Sequence, residues 1–350
     1  MNDEIKETVC SFESLYAAML KCKKGIMWKD SAAGFVKNGL VNCCNLKDEL
    51  MSDNYNIGKY TVFKITEPKE RVIVSTRIKD RVFQRSLCDN YLYENITRSF
   101  IYDNAACQKG KGTDFARNRL KCHLQRYFRK HGLKGYVLKC DISDYFGSTP
   151  HTVACQAVEK RIKNQWVIYE TERIINSFTQ GADPSKGMGL GSEVTQLVQL
   201  AVLDDLDHYI KETLHIKHYV RYVDDFILIH ESKEYLIYCR EDIKKYLAAR
   251  GLQLSKKKTQ IFPIKQPIHF LGFSFRLTNT SKVVMRLLPE KVTHERKKLR
   301  KLVKRCKDGI MTREHADECF QSWVAHASKG DCYKLIQSMT EYYYNLWEVI

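Results

Sequence analysis

The segment "HYVRYVDDFILIH", His218 to His230, constrains this chain more than any other. Bulky β-branched and aromatic residues, Tyr219, Val220 and Tyr222 before and Phe226 to Ile229 after, flank two adjacent aspartates. That pattern predicts a strand, a two-residue turn and a strand, with Asp224 and Asp225 at the tip. Asp tolerates turn geometry. Asp-Asp is nevertheless a poorer hairpin turn than Asn-Gly or Asp-Gly, and the two charges repel unless a cation offsets them. A divalent metal does so, and hard carboxylate oxygens suit Mg²⁺. Mg²⁺ takes one or two protein carboxylates and completes its shell with water and phosphate oxygens, so a further acid is expected from another strand. Asp141 qualifies, at the end of the apolar run in "GYVLKCDISDYF". A second pair, Asp204-Asp205, serves as a control. There Leu197, Leu200, Leu203, Leu206 and Tyr209 recur at helical spacing, so those acids are expected to decorate a helix face.

The charge balance points to the partner. Lys and Arg number 58 against 41 Asp and Glu, a net +17, and a field of that sign attracts polyanions, nucleic acid above all. The segment "PEKVTHERKKLRKLVKRCK", residues 289–307, holds nine Lys/Arg against Glu290 and Glu295, so it alone supplies +7. Val292, Leu299, Leu302, Val303, Cys306 and Ile310 recur at helical spacing, which predicts an amphipathic helix with one basic face. Solvated helix faces usually mix signs, and this one hardly does. No run of 18 apolar residues predicts a membrane span. The acidic N-terminal segment lacks the basic-then-apolar order of a signal peptide, so the expected location is the cytoplasm. Thirteen cysteines without a CxxC pair are expected to be free thiols, with no zinc site.

Strands and helices interleave without a strict βαβ rhythm, which predicts an α+β fold with a helical C-terminal module. Residues 1–55 are expected to be helical, 60–85 strands then a helix, and 115–131 a basic helix. A long helix is expected over 192–212, a helix over 232–250, a strand pair over 259–277, and helices from Pro289 onward. "SWVAHASKGDCYKLIQSM", Ser322 to Met339, is expected to be one amphipathic helix, docked on the sheet domain or on a partner.

Several segments in order along the chain resemble one family. Tyr222-Val223-Asp224-Asp225 resembles the YxDD box of reverse transcriptases, and Asp141 with Tyr145-Phe146 resembles their first palm motif. "FKITEPKERVI" with "KDRVFQ", and "QKGKGTDFARNRL", resemble the two fingers motifs of bacterial members. "GLQLSKKKTQIF" resembles the motif ending in Lys-Thr, and "HFLGFSF" the primer-grip strand pair. The resemblance spans residues 60 to 275. It implies a right-hand polymerase fold: an N-terminal helical segment of the fingers (1–59), fingers (60–135), palm (136–288, with a helical excursion over 150–190) and helical thumb (289–350).

The resemblance also implies roles. Asp141, Asp224 and Asp225, with the backbone carbonyl of Ile142, would hold two Mg²⁺ ions, for which Mn²⁺ can substitute. Lys258 stands where a lysine protonates the departing pyrophosphate, or is one more surface lysine of "SKKKT". Lys69 and Arg71 match residues that hold the incoming triphosphate. Phe146 stands at the steric gate that rejects a ribose 2′-hydroxyl, and Leu190, Gly191 and Gln196 line the nascent pair. Lys109, Lys111, Phe270, Leu271 and Gly272, and Arg296, Lys297, Arg300 and Lys304 of the basic helix, would contact template and primer. Implied partners are an RNA template, a DNA or RNA primer and deoxynucleoside triphosphates, with a structured non-coding RNA or a small accessory protein for specificity.

The subclass turns on "GLGSEVTQ", Gly189 to Gln196. Leu190 stands where intron-encoded and retroviral enzymes carry Gln, and the segment is similar to the GxxxSQ variant of diversity-generating retroelement enzymes. Leu190 offers no side-chain hydrogen bond to a nucleotide, which predicts error-prone synthesis. Antiphage defence-associated reverse transcriptases carry related variants and are the alternative. A group II intron-type enzyme and an inactive RNA-binding relative are the remaining readings. The intact Asp141, Asp224 and Asp225 argue against the last.

Overall fold

The computed structural model describes residues 2–66, 70–179 and 183–348. Lys69 lies outside them. Its core is built around a four-stranded antiparallel sheet of strands β3 (Tyr136–Asp141), β4 (His218–Tyr222), β5 (Asp225–His230) and β6 (Gln260–Pro263), in the order β4-β5-β3-β6. The hairpin β1 (Thr61–Ile65) and β2 (Arg71–Ser75) precedes it, and a second sheet of β7 (Ile268–Phe270), β8 (Phe273–Leu277) and β9 (Val283–Leu287) follows.

Period-two alternation splits the four-stranded sheet between two cores. Leu138, Cys140, Tyr219, Phe226 and Leu228 join Ala154, Val198, Leu236 and Ile243 of three helices, His151–Glu159, Glu193–Val202 and Lys233–Ala248. Val137, Val220, Ile227 and Ile229 join Leu120 and Leu124 of Thr113–His131, with Phe273 and Phe275 of β8. This second core runs on into three C-terminal helices, Pro289–Lys307, Arg313–Ala327 and Tyr333–Glu348, through Leu299, Phe320, Trp323 and Met339. The N-terminal helices Asn2–Cys10, Phe12–Cys22, Asp30–Lys37 and Gly39–Met51 attach to the first core through Val9, Leu15, Met19, Cys43 and Leu46. The α+β organisation expected from the sequence is the one observed.

Six local expectations need correction. The hairpin turn consists of Val223 and Asp224, because Tyr222 pairs with Asp225, so Asp225 is the first residue of β5 and not part of the tip. The helix expected over 192–212 is broken at Leu203 into Glu193–Val202 and Asp204–His208 and ends in a π-turn, Tyr209–Thr213. Of its acidic pair, Asp204 does not decorate a surface. Asp204 is 1% exposed and accepts hydrogen bonds from Ser99 and Arg161, while Asp205 pairs with Lys160 and Arg161. The strand pair over 259–277 is three strands, and β9 adds another. Ile310 lies beyond the basic helix and is 64% exposed. Ser322 to Met339 is not one helix, since residues 328–332 form a turn in which Gly330 fits against Met285 and Phe273; a Cβ there would approach the Met285 carbonyl oxygen within 2.7 Å.

Candidate active site

The register of β3 against β5 sets Asp141 directly across from Asp225 at one end of the sheet. Cross-strand partners lie within side-chain contact distance, so two carboxylates meet there on one face. Asp141 is 8% exposed, and Asp225 is largely buried. Burial, and the charges of Asp141 and Asp224 against the opposing pull of Lys139, lift the Asp225 carboxyl to about 6. Its Oδ1 is buried with no hydrogen-bond partner among the described residues. Asp224 sits half-buried in the adjoining turn.

Two lysines face these acids. Lys258 Nζ donates to both oxygens of Asp141, at 2.7 and 2.8 Å. Lys139 Nζ lies 3.4 Å from Asp225 Oδ2 and donates to the His269 carbonyl at 2.7 Å. The loop bearing Lys258 is fastened by Ser255 N donating to the Asp141 carbonyl and Ser143 N to the Gln253 carbonyl, each at 2.7–2.8 Å. Lys258 is exposed, and its ammonium is held against the candidate site by Asp141. Among the described residues no three His, Cys, Asp or Glu side chains converge as a metal cage. The donor set still fits Mg²⁺: hard oxygens only, with an orphaned buried carboxylate oxygen on Asp225. Asp141, Asp224 and Asp225 would hold such ions. Ile142 is buried and bridges to Leu254.

Phe146 is half-buried against Tyr145, ring centroids 5.9 Å apart, and its carbonyl accepts from Met188 N at 2.7 Å. The loop from Gly189 to Ser192 is held by its own helix: Thr195 Oγ1 donates to the Gly189 carbonyl at 2.6 Å and Gln196 Nε2 to the Leu190 carbonyl at 3.1 Å. Gln196 thus positions the loop. Gly191 abuts β2, where a Cβ would come within 2.8 Å of the Val74 carbonyl oxygen, so this loop and the strand beginning at Arg71 are locked together. Lys109 is exposed and lies 4.7 Å from the Tyr93 ring centroid.

Lys111 is half-buried and donates to the Tyr102 and Asn104 carbonyls at 3.0 and 2.9 Å. One expected template contact is corrected. Phe270 is 1% exposed within the second core, so its side chain cannot meet a primer. Leu271 and Gly272, both at positive φ, form the half-buried β7–β8 turn beside it. On the basic helix, Arg296, Lys297, Arg300 and Lys304 are all exposed, with the Arg296 guanidinium 5.4 Å from the Tyr342 ring centroid.

The sequence reading missed what supports the turn. Arg221 is fully buried and grips Asp207 from two nitrogens, Nε to Oδ1 at 2.7 Å and Nη2 to Oδ2 at 2.5 Å. Its Nη1 donates to the Val223 carbonyl at 2.9 Å. Tyr219 hydroxyl also donates to Asp207, at 2.6 Å. A signal existed: Arg221 shares a strand face with the apolar-facing Tyr219, and a charge on a buried face demands a partner.

A carboxylate pair at the end of an antiparallel sheet, flanked by helices and a basic helical module, has the layout of the right-hand polymerase fold. Residues 63–275 match the model of the family described as reverse transcriptase (RNA-dependent DNA polymerase), and the chain belongs to that family. A search among curated protein sequences found no match. Solved structures with this fold include apo telomerase from Candida tropicalis truncated from its C-terminal domain, at TM-score 0.50 and 13% identity over 70% of this chain. Telomerase from Candida albicans, in complex with a TWJ fragment of telomeric RNA, aligns at TM-score 0.49 and 13% identity over 88% of this chain. The chain spans 60% and 64% of the length of those two proteins.

Proposed function

We propose that this chain is an RNA-directed DNA polymerase. It extends a primer on an RNA template, the primer 3′-oxygen forming a bond to the α-phosphorus of a deoxynucleoside triphosphate while the bond to the pyrophosphate oxygen breaks. The observation that carries the reading is the apposition of Asp141 and Asp225 with an orphaned buried carboxylate oxygen beside the Asp224 turn. Two Mg²⁺ ions, or Mn²⁺ in their place, would supply charge stabilisation to the attacking and leaving oxygens. The protein's own part is to hold the carboxylates rigidly on a sheet edge, and to keep Lys258 within reach of the leaving group once Asp141 is otherwise engaged. Lys69 and Arg71 are proposed to steady the triphosphate, and Phe146 to exclude ribonucleotides. Lys109, the Leu271-Gly272 turn and the basic helix are proposed to hold template and primer.

The subclass we propose is the error-prone enzyme of a diversity-generating retroelement, acting in a prokaryotic cytoplasm with a structured RNA or small accessory protein. Leu190 in place of a hydrogen-bonding side chain supports it. The test of the polymerase reading is incorporation on a primed RNA template with Mg²⁺. Asp224→Asn should abolish it while leaving the thermal unfolding midpoint close to wild type. Wild-type protein without incorporation under any metal or template would leave only a nucleic-acid-binding role.

A further inference from the structure

The Asp207–Arg221 pair lies away from the reacting face, yet nothing about folding alone requires it. A fully buried ion pair is often no more stabilising than apolar side chains of the same volume. What an apolar pair cannot do is donate a third hydrogen bond, and Arg221 sends its remaining Nη1–H to the carbonyl of Val223. That residue is the first of the two-residue turn and holds φ of +57°, a left-handed conformation that a β-branched side chain strongly disfavours. Such a conformation persists only where surrounding contacts over-determine it. Here they do. Arg221 N donates to the Asp103 carbonyl at 3.1 Å, its carbonyl accepts from Ala105 N at 3.0 Å, and its guanidinium spans Asp207 and Val223. Asp207 in turn is held at the end of its helix by Tyr219 as well.

We infer that Asp207 and Arg221 are positioning residues: through the Val223 carbonyl they fix the turn that carries Asp224, and so set the affinity and geometry with which the acid site takes a divalent cation. The inference rests on the polymerase reading for its kinetic consequence but not for its metal-binding one. Both side chains are fully buried, so they act through the turn. Arg221 alone cannot be removed cleanly, since Asp207 would be left as an unpaired buried charge.

The experiment uses the full chain carrying Asp207→Leu together with Arg221→Met, which keeps the volume and removes both charges. Thermal unfolding establishes the fold, Mn²⁺ titration followed by electron paramagnetic resonance reads metal binding, and single-nucleotide extension reads kcat and KM. Second-sphere supports of metal sites are typically worth about 10–100-fold. The expected result is an unfolding midpoint near wild type, Mn²⁺ affinity and kcat each lower by about tenfold or more, KM for the nucleotide little changed, and partial recovery at raised Mg²⁺. Arg221→Lys, which keeps the charge but cannot span Asp207 and the Val223 carbonyl together, should show a smaller loss of the same kind. A folded double variant with wild-type Mn²⁺ affinity and kcat overturns the inference. If the double variant fails to fold, unchanged Mn²⁺ affinity and kcat in Arg221→Lys overturns it instead. Inactive wild-type protein that still loses Mn²⁺ affinity in the variants would sink the polymerase reading and leave the positioning role standing.

Discussion

Phe146 shows how much a single side chain is expected to decide. Its ring is half-buried and its carbonyl is pinned by Met188 N, so the ring stands on a fixed backbone, five residues after Asp141. Removing it with Phe146→Ala should raise ribonucleotide use relative to deoxynucleotide use by roughly tenfold, a typical size for steric discrimination at one position. An unchanged ratio in competition assays would make Phe146 a core residue only. Leu190 bears on fidelity in the same way. Its carbonyl is already occupied by Gln196, and its side chain has no hydrogen bond to give. Leu190→Gln should therefore lower misincorporation by a few-fold to about tenfold, the worth of one hydrogen bond at roughly 0.5–1.5 kcal/mol. In a diversity-generating enzyme the wild-type errors should cluster opposite template adenine, as the family resemblance implies. Sequencing of cDNA from a four-base template checks both points, and a flat, low error spectrum would move the assignment to a defence-associated enzyme. Of these residue-level features, Asp141, Asp224 and Asp225 were legible because acids beside apolar strand residues demand an explanation. Arg221 and Asp207 were not singled out, because their pairing joins residues 14 apart on different elements.

At the level of elements, helix Thr113–His131 lies on β4 through a cluster of ionisable side chains. His218 of β4 has its Nδ1 3.4 Å from that of His123, and faces Tyr127 and, more distantly, Lys211, His131 and Arg126. Burial, reinforced by those positive neighbours, depresses the His218 imidazole to about 4. A histidine held below its ordinary value near 6.5 favours folding only while neutral. Its stabilising effect is present above pH 6.5 and is lost as pH falls from there through about 4. Urea unfolding at pH 7.5, 5.5 and 4.5 should show this decline, and His218→Gln should flatten it over that interval. Equal slopes for both proteins would mean that other groups dominate acid lability. The turn-by-turn errors also belong to this scale. The acids at 204 and 205 matched a surface helix pattern, but Arg161, more than 40 residues earlier, comes to meet them. A periodicity argument counts apolar residues along one helix and is blind to a cation arriving from another.

The molecule as a whole presents the basic helix Pro289–Lys307 on a three-helix module anchored to the sheets through Leu299, Leu302 and Val303. Phosphate contacts each contribute roughly −0.9 to the slope of log affinity against log salt on duplex DNA. Changing Arg296, Lys297, Arg300 and Lys304 together to Gln should reduce that slope for a primer–template by roughly two to four, read by fluorescence anisotropy across a salt series. A slope identical to wild type would place nucleic acid elsewhere. By itself the sequence determined the α+β class, the acid hairpin, the basic helix and the family, because each is written in local spacing and composition. The tertiary structure decided what spacing cannot carry. It set Asp141 against Asp225 through strand register, turned Phe270 inward, tied Lys258 to Asp141, and braced the Asp224 turn with Asp207 and Arg221. Each of these depends on which distant residues the fold brings within hydrogen-bond reach, and long-range proximity is a property of packed elements, not of neighbouring letters.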